Sequence, residues 1–189
     1  MTSARIVDPA KSGLECRDRA VAALCAQDWH AAYEWAKSWI MRGGGAWIAE
    51  PWLVYAASAV LHGQPRTAVH SIDLALSHWI ADPADRAVLR WVRGCVIRVH
   101  LHDPRTALVD FEAAHEAAPE WLVERVAEVA RKCRDEAAAS RKRKPAVANA
   151  PEQLKPSTAP VAPQVVWIAP GSVPSVWDAV SAHIPSING

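Results

Sequence analysis

A short joint is written twice in this chain, as Gln64-Pro65-Arg66-Thr67-Ala68 and as Asp103-Pro104-Arg105-Thr106-Ala107, and each copy separates two segments whose apolar residues recur at three- and four-residue spacing. A proline directly after a polar residue suits the first turn of a helix, where its missing N–H costs nothing, so each joint predicts a helix–turn–helix corner. In both copies a tryptophan lies sixteen residues before the alanine, at Trp52 and Trp91. One unit is therefore repeated, and a chain of repeats buries its apolar faces between neighbouring units.

The 189 residues leave room for one domain and a tail. Ten of the thirteen aromatic residues are tryptophan, which points to large anchors set among many alanines and suits closely stacked helices. A net charge of +1 supplies no global field toward nucleic acid or membrane. Residues 1–11 lack the apolar core of a secretory signal, and the longest apolar run, Trp52 to Leu61, is half a membrane span. The expectation is a cytoplasmic protein without membrane contact. Cysteines at 16, 25, 95 and 133 show no zinc-type spacing and read as reduced packing residues.

Ser12-Gly13-Leu14-Glu15 has capping-box form and predicts a first helix from about 13 to 26. Asp28 caps a second, with Trp29, Ala32, Trp35, Ala36 and Trp39 in helical register until Gly43-Gly44-Gly45 stops it. Pro51 suits the first turn of a third helix and Gly63 its left-handed end. A fourth runs from Pro65 to about Ile80, a fifth from about 84 to 101, a sixth from Pro104, and a seventh from Pro119 into the basic run Arg141-Lys142-Arg143-Lys144. The seventh carries one apolar stripe, Trp121, Leu122, Val126, Val129 and Cys133, as a helix that covers the end of a stack would. Residues 145–189 are rich in Pro, Ala, Ser and Val with three charged side chains, a composition that predicts a largely disordered tail with two apolar islands. The expected division is thus a flexible 1–11, a helical domain 12–144 and the tail 145–189.

In register, Trp52, Ala56, Gly63, Ala68, Ile72 and Ala75 form one unit and Trp91, Cys95, Asp103, Ala107, Phe111, Ala114 and Pro119 the next, with Cys16, Ala20, Asp28 and Ala32 as a weaker first unit. This pattern resembles the tetratricopeptide repeat (TPR), across roughly residues 13 to 143. The two clear units are 39 residues apart instead of the family's 34, which places an insertion near residues 77–83. The resemblance implies an all-α, TPR-like solenoid of about three helix pairs plus a C-terminal capping helix, in which the first helix of each pair lines a concave groove. The inward positions are then Val21, Leu24, Leu53, Ala57, Val60, Leu61, Val92, Val96 and Val99. Such an apolar groove fits an apolar peptide or amphipathic helix of a partner protein, and only Arg17 and Arg93 come near the basic positions that chaperone-carboxylate binders of the family need.

An apolar groove needs a cover, and the tail supplies a candidate. On a helix Val176, Val180 and Ile184 are four residues apart with Trp177 beside them, a docking segment for the groove of its own chain or of a second copy in a homo-oligomer. The rival reading is a nucleic-acid-associated regulator that contacts phosphates through Arg86, Arg90 and Arg93 on the fifth helix and through Arg141, Lys142, Arg143 and Lys144. The eight histidines form no ligand pair, and the chain has no phosphate-binding glycine loop and no nucleophile elbow. No catalytic residue, metal or cofactor is expected. The sequence thus predicts a non-catalytic adaptor or regulator.

Overall fold

The periodic segments are helices. The computed structural model describes residues 13–42 and 44–142, the last three of these by backbone alone, together with Val176, Ala179 and Val180. Among the described residues the order is α1 (Gly13–Cys25), α2 (Trp29–Arg42), a 3₁₀ turn (Gly45–Trp47), α3 (Ala49–Leu61), α4 (Pro65–His78), α5 (Pro83–His100), α6 (Pro104–His115) and α7 (Glu120–Lys142), with no strand. Each helix packs on the next, and α1, α3, α5 and α7 also meet one another in turn.

Three corners share one backbone device. Gln27, Gly63 and His102 occupy the same place after α1, α3 and α5, and all three are left-handed, with φ of 59°, 75° and 54°. That conformation turns the following N–H back onto the helix just ended: Asp28 donates to the Ala23 carbonyl at 2.9 Å, Gln64 to Ala59 at 2.8 Å and Asp103 to Ile97 at 3.2 Å. Only glycine adopts this region without a Cβ penalty, so Gln27 and His102 hold it against a local cost. The next helix then starts on a cap. Asp28 accepts from the Ala31 N–H at 3.0 Å, and Asp103 accepts from Arg105 and Thr106 N–H, both at 3.1 Å, and from the Thr106 hydroxyl at 2.6 Å. Gln64 has nearly the backbone of Asp103 but gives no side-chain cap.

The spacing excess has a different place from the one expected. α3 begins at Ala49, three residues before Trp52, whereas α5 begins at Pro83, eight before Trp91, so the five additional residues form an extra turn at the start of α5, just after the insertion expected near 77–83. Asp82 caps this turn by accepting from Asp85 N–H at 2.9 Å. The turn serves its neighbours as well: Asp85 Oδ2 accepts from the Ala49 N–H at 3.0 Å, capping α3 from outside, and Arg86 donates to the carbonyls of Leu76 and Ile80 at 2.7 and 2.8 Å, closing the end of α4.

α3 lies at the centre. Its buried residues run from Pro51 to Val54 and from Ala56 to Val60, so they go round the whole helix. A helix apolar on all sides has no solvent face to offer and must be surrounded. The close approach this requires comes from small residues: Ala20, Ala56 and Cys95 on the first helices of the pairs, and Ala32, Ala68 and Ala107 on the second, are all buried. At α5 against α6 the approach is tighter still, since a Cβ on Gly94 would lie 2.6 Å from Cε1 of the fully buried Phe111. α7 packs on α6 and α5 through Leu122, Val126, Val129 and Cys133. Trp121, expected in that stripe, is half exposed, because it stands about 100° round the helix from Leu122.

Gln64→Asp is expected to raise stability by about 0.5–1 kcal/mol by adding the missing cap, and Asp103→Ala to lower it by about 1 kcal/mol, both read from urea midpoints. Hydrogen bonds from the Thr106 hydroxyl and then the Thr106 N–H hold the Asp103 carboxyl below its ordinary 3.8. A depressed carboxyl stabilises above its unfolded value, so the difference between wild type and Asp103→Ala should be constant near neutrality and shrink as pH falls through the lower folded value. Gly94→Ala should destabilise by about 1–2 kcal/mol in the same assay, because overpacking against Phe111 outweighs a helix-propensity gain of about 1 kcal/mol; a more stable variant would show that the ring gives way.

Candidate functional site

The positions expected to line a groove lie on three neighbouring helices, and they are filled. Val21 and Leu24 on α1, Leu53, Ala57 and Val60 on α3, and Val92 and Val96 on α5 are buried, and all belong to one continuous apolar cluster. Leu61 is half-buried against that cluster. Val99, in the last turn of α5, is 40% exposed and stands apart from the others. An open apolar trough is therefore not what these side chains present.

Three buried side chains of the same cluster come from far along the chain. Val176, Ala179 and Val180 are helical, with exposures of 4%, 3% and 0%. Two of the expected docking residues, Val176 and Val180, thus share a core with the expected groove residues, and Ala179, which the four-residue spacing did not single out, joins them at i+3. Trp177 and Ile184 lie outside the described residues.

The arginine stripe of α5 is committed elsewhere. Arg86 bonds the end of α4, Arg90 donates to the Ala113 carbonyl at 3.4 Å, and Arg93 forms a fork to the Asp110 carboxylate at 2.9 Å through Nε, with Asp73 as a further partner. Arg93 thereby ties α5 to α6 and α4 at once. Asp110 is nearly fully buried; burial pushes its carboxyl up, against the pull of Arg93, while Arg93, although burial works against its charge, is held charged by Asp110 and Asp73. Arg98 makes a two-pronged bond to Glu136 of α7, at 3.1 and 2.5 Å. Arg141 and Lys142 lie in the last turn of α7, described by backbone alone, and Arg143 and Lys144 lie outside the described residues.

Other chemistries find little support in the geometry. Burial pushes the thiols of Cys25, Cys95 and Cys133 up, which keeps thiolate scarce at neutral pH, and the Cys133 thiol donates to the Pro104 carbonyl at 2.9 Å. Among the described residues no three His, Cys, Asp or Glu side chains gather in metal-binding geometry, and no helix is long and apolar enough to cross a membrane. A cleft of about 240 Å³ opens between the start of α2 and the end of α3, walled by Trp29, His30, Tyr33 and His62, with the Tyr33 and Tyr55 hydroxyls hydrogen-bonded at 2.6 Å behind it. Burial and then that bond push the Tyr55 phenol up, so it stays neutral. Nothing in the spacing of Trp29, Tyr33 and His62 announces this cleft, because it exists only where two corners meet. The chain matches no family model, no curated protein and no solved structure.

Arg93→Ala should destabilise the fold by about 2–3 kcal/mol by leaving the Asp110 carboxylate buried without its fork, and the pair Arg93→Met with Asp110→Leu should recover most of that loss. Thermal unfolding of the three proteins checks this; an additive double variant would mean that the two groups do not act as a pair.

Proposed function

We propose that this chain is a TPR-like solenoid of three helix pairs closed by α7, and that it acts without chemistry of its own as an interaction module receiving an apolar peptide or amphipathic helix on the inner side of α1, α3 and α5. Three corners of one geometry, at Gln27, Gly63 and His102, support the repeat reading. The observation that carries the functional reading is the burial of Val176, Ala179 and Val180, a helical face from a distant part of the chain, within the same cluster as Leu53, Ala57 and Val96. A scaffold that takes up one such face has the shape and polarity for another. The Pro-rich stretch ahead of Val176 acts as the tether, and the working partner is a protein segment with a small apolar face. The commitment of Arg86, Arg90 and Arg93 to acceptors of the fold weighs against a phosphate-binding stripe on α5.

Because Leu53 and Val96 are core, charging them would test folding more than binding; the segment is the place to intervene. In the full chain, Val176→Asp with Val180→Asp is expected to raise the fluorescence of an apolar dye by several-fold, with helix content unchanged by circular dichroism. Capture from the native cell extract should then recover a protein that is eluted by excess of a peptide spanning residues 172–187. No rise in dye binding together with no peptide-eluted protein would end this reading.

A further inference from the structure

The three buried positions of the distant segment define what fits. Val176, Ala179 and Val180 stand at i, i+3 and i+4, one face of one helical turn, and none is larger than valine. They enter a core that encloses them almost fully, at 4%, 3% and 0% exposure, and that also holds the buried Ala56, Ala57 and Ala59 of α3. Close-packed cores of this kind reject an added ring, since the surrounding helices would have to move apart. The occupant is also part of the same chain, joined through residues 143–175, so an external helix competes with a tethered one whose effective concentration is on the order of millimolar.

We infer that the 176–180 segment is a built-in competitor for the inner surface, and that the partner displacing it is a helix with alanine- or valine-sized residues at i, i+3 and i+4. This rests on the interaction reading above and adds two things to it: a size limit on the ligand and an intramolecular block on its access. A weak or short helix is excluded while the block is in place. A partner gains access when the tether is cut, when the segment is held elsewhere, or when the partner itself binds tightly enough to win the exchange.

The test uses the full chain with a protease site inserted between residues 150 and 160, and a fluorescent peptide of residues 172–187 as probe. Cutting the site leaves every residue present but removes the tether, and on the inference the peptide then binds about tenfold tighter or more than to the uncut chain. Full-length Val180→Asp should show the same gain, and a peptide carrying Ala179→Trp should bind neither protein. Equal binding before and after cleavage, or equal binding of the Ala179→Trp peptide, overturns the inference. Absence of peptide binding to cut protein that keeps its helix content overturns it as well. A partner captured by the double-Asp chain with cleavage making no difference would leave the interaction reading standing and remove only the block. Tenfold release with no captured partner would do the reverse.

Discussion

A helix that is apolar on every side cannot end a structure; it has to be its middle. α3 is such a helix, with buried residues all round from Pro51 to Val60, and most of the architecture follows from surrounding it. α1, α2, α4 and α5 pack against it, the 3₁₀ turn at Gly45–Trp47 closes on its start, and the Trp52 indole N–H donates to the Ala46 carbonyl at 3.0 Å there. Even its missing N-terminal cap is supplied by another helix, through Asp85. Small residues make the enclosure close, and large ones, Trp52, Trp91 and Phe111, are buried among them.

The second organising element is the charged network of α5. Arg86, Arg93 and Arg98 reach α4, α6 and α7 respectively, so one helix is bonded to three of the helices packed about it. Buried ion pairs are weak contributors to stability compared with apolar residues of the same shape, but a broken one is expensive. Their effect here is on geometry: a planar guanidinium forked onto Asp110 admits a single placement of α6 against α5, and Gly94 beneath Phe111 needs that placement kept. Register within the third pair, α6 against α5, is thus set twice, once by shape and once by charge.

These two features bear on what the molecule does. The buried face of Val176, Ala179 and Val180 is small throughout, and on the proposed reading it is recognised by complementarity in size and not by hydrogen-bond pattern. On that reading the interface is sensitive to one added ring and tolerant of sequence changes outside the three positions.

Much of the local structure was legible in the sequence. Proline at the first helical position, aspartate or glycine at the corner, and apolar residues at three- and four-residue spacing act within one helical turn, so Pro65, Pro104, Asp103 and Gly63 announced their corners without help. The sequence by itself determined the seven helices between residues 13 and 142, the repeated corner and the two valines that would enter the core. What only the tertiary structure decided is of longer range. The extra residues before Trp91 become a helical turn because Asp85 and Arg86 find the ends of α3 and α4 to cap; Trp121 leaves its stripe and Ala179 enters the core by the angle at which each faces its neighbours. Each of these depends on groups tens of residues away, whose positions exist only once the helices have packed.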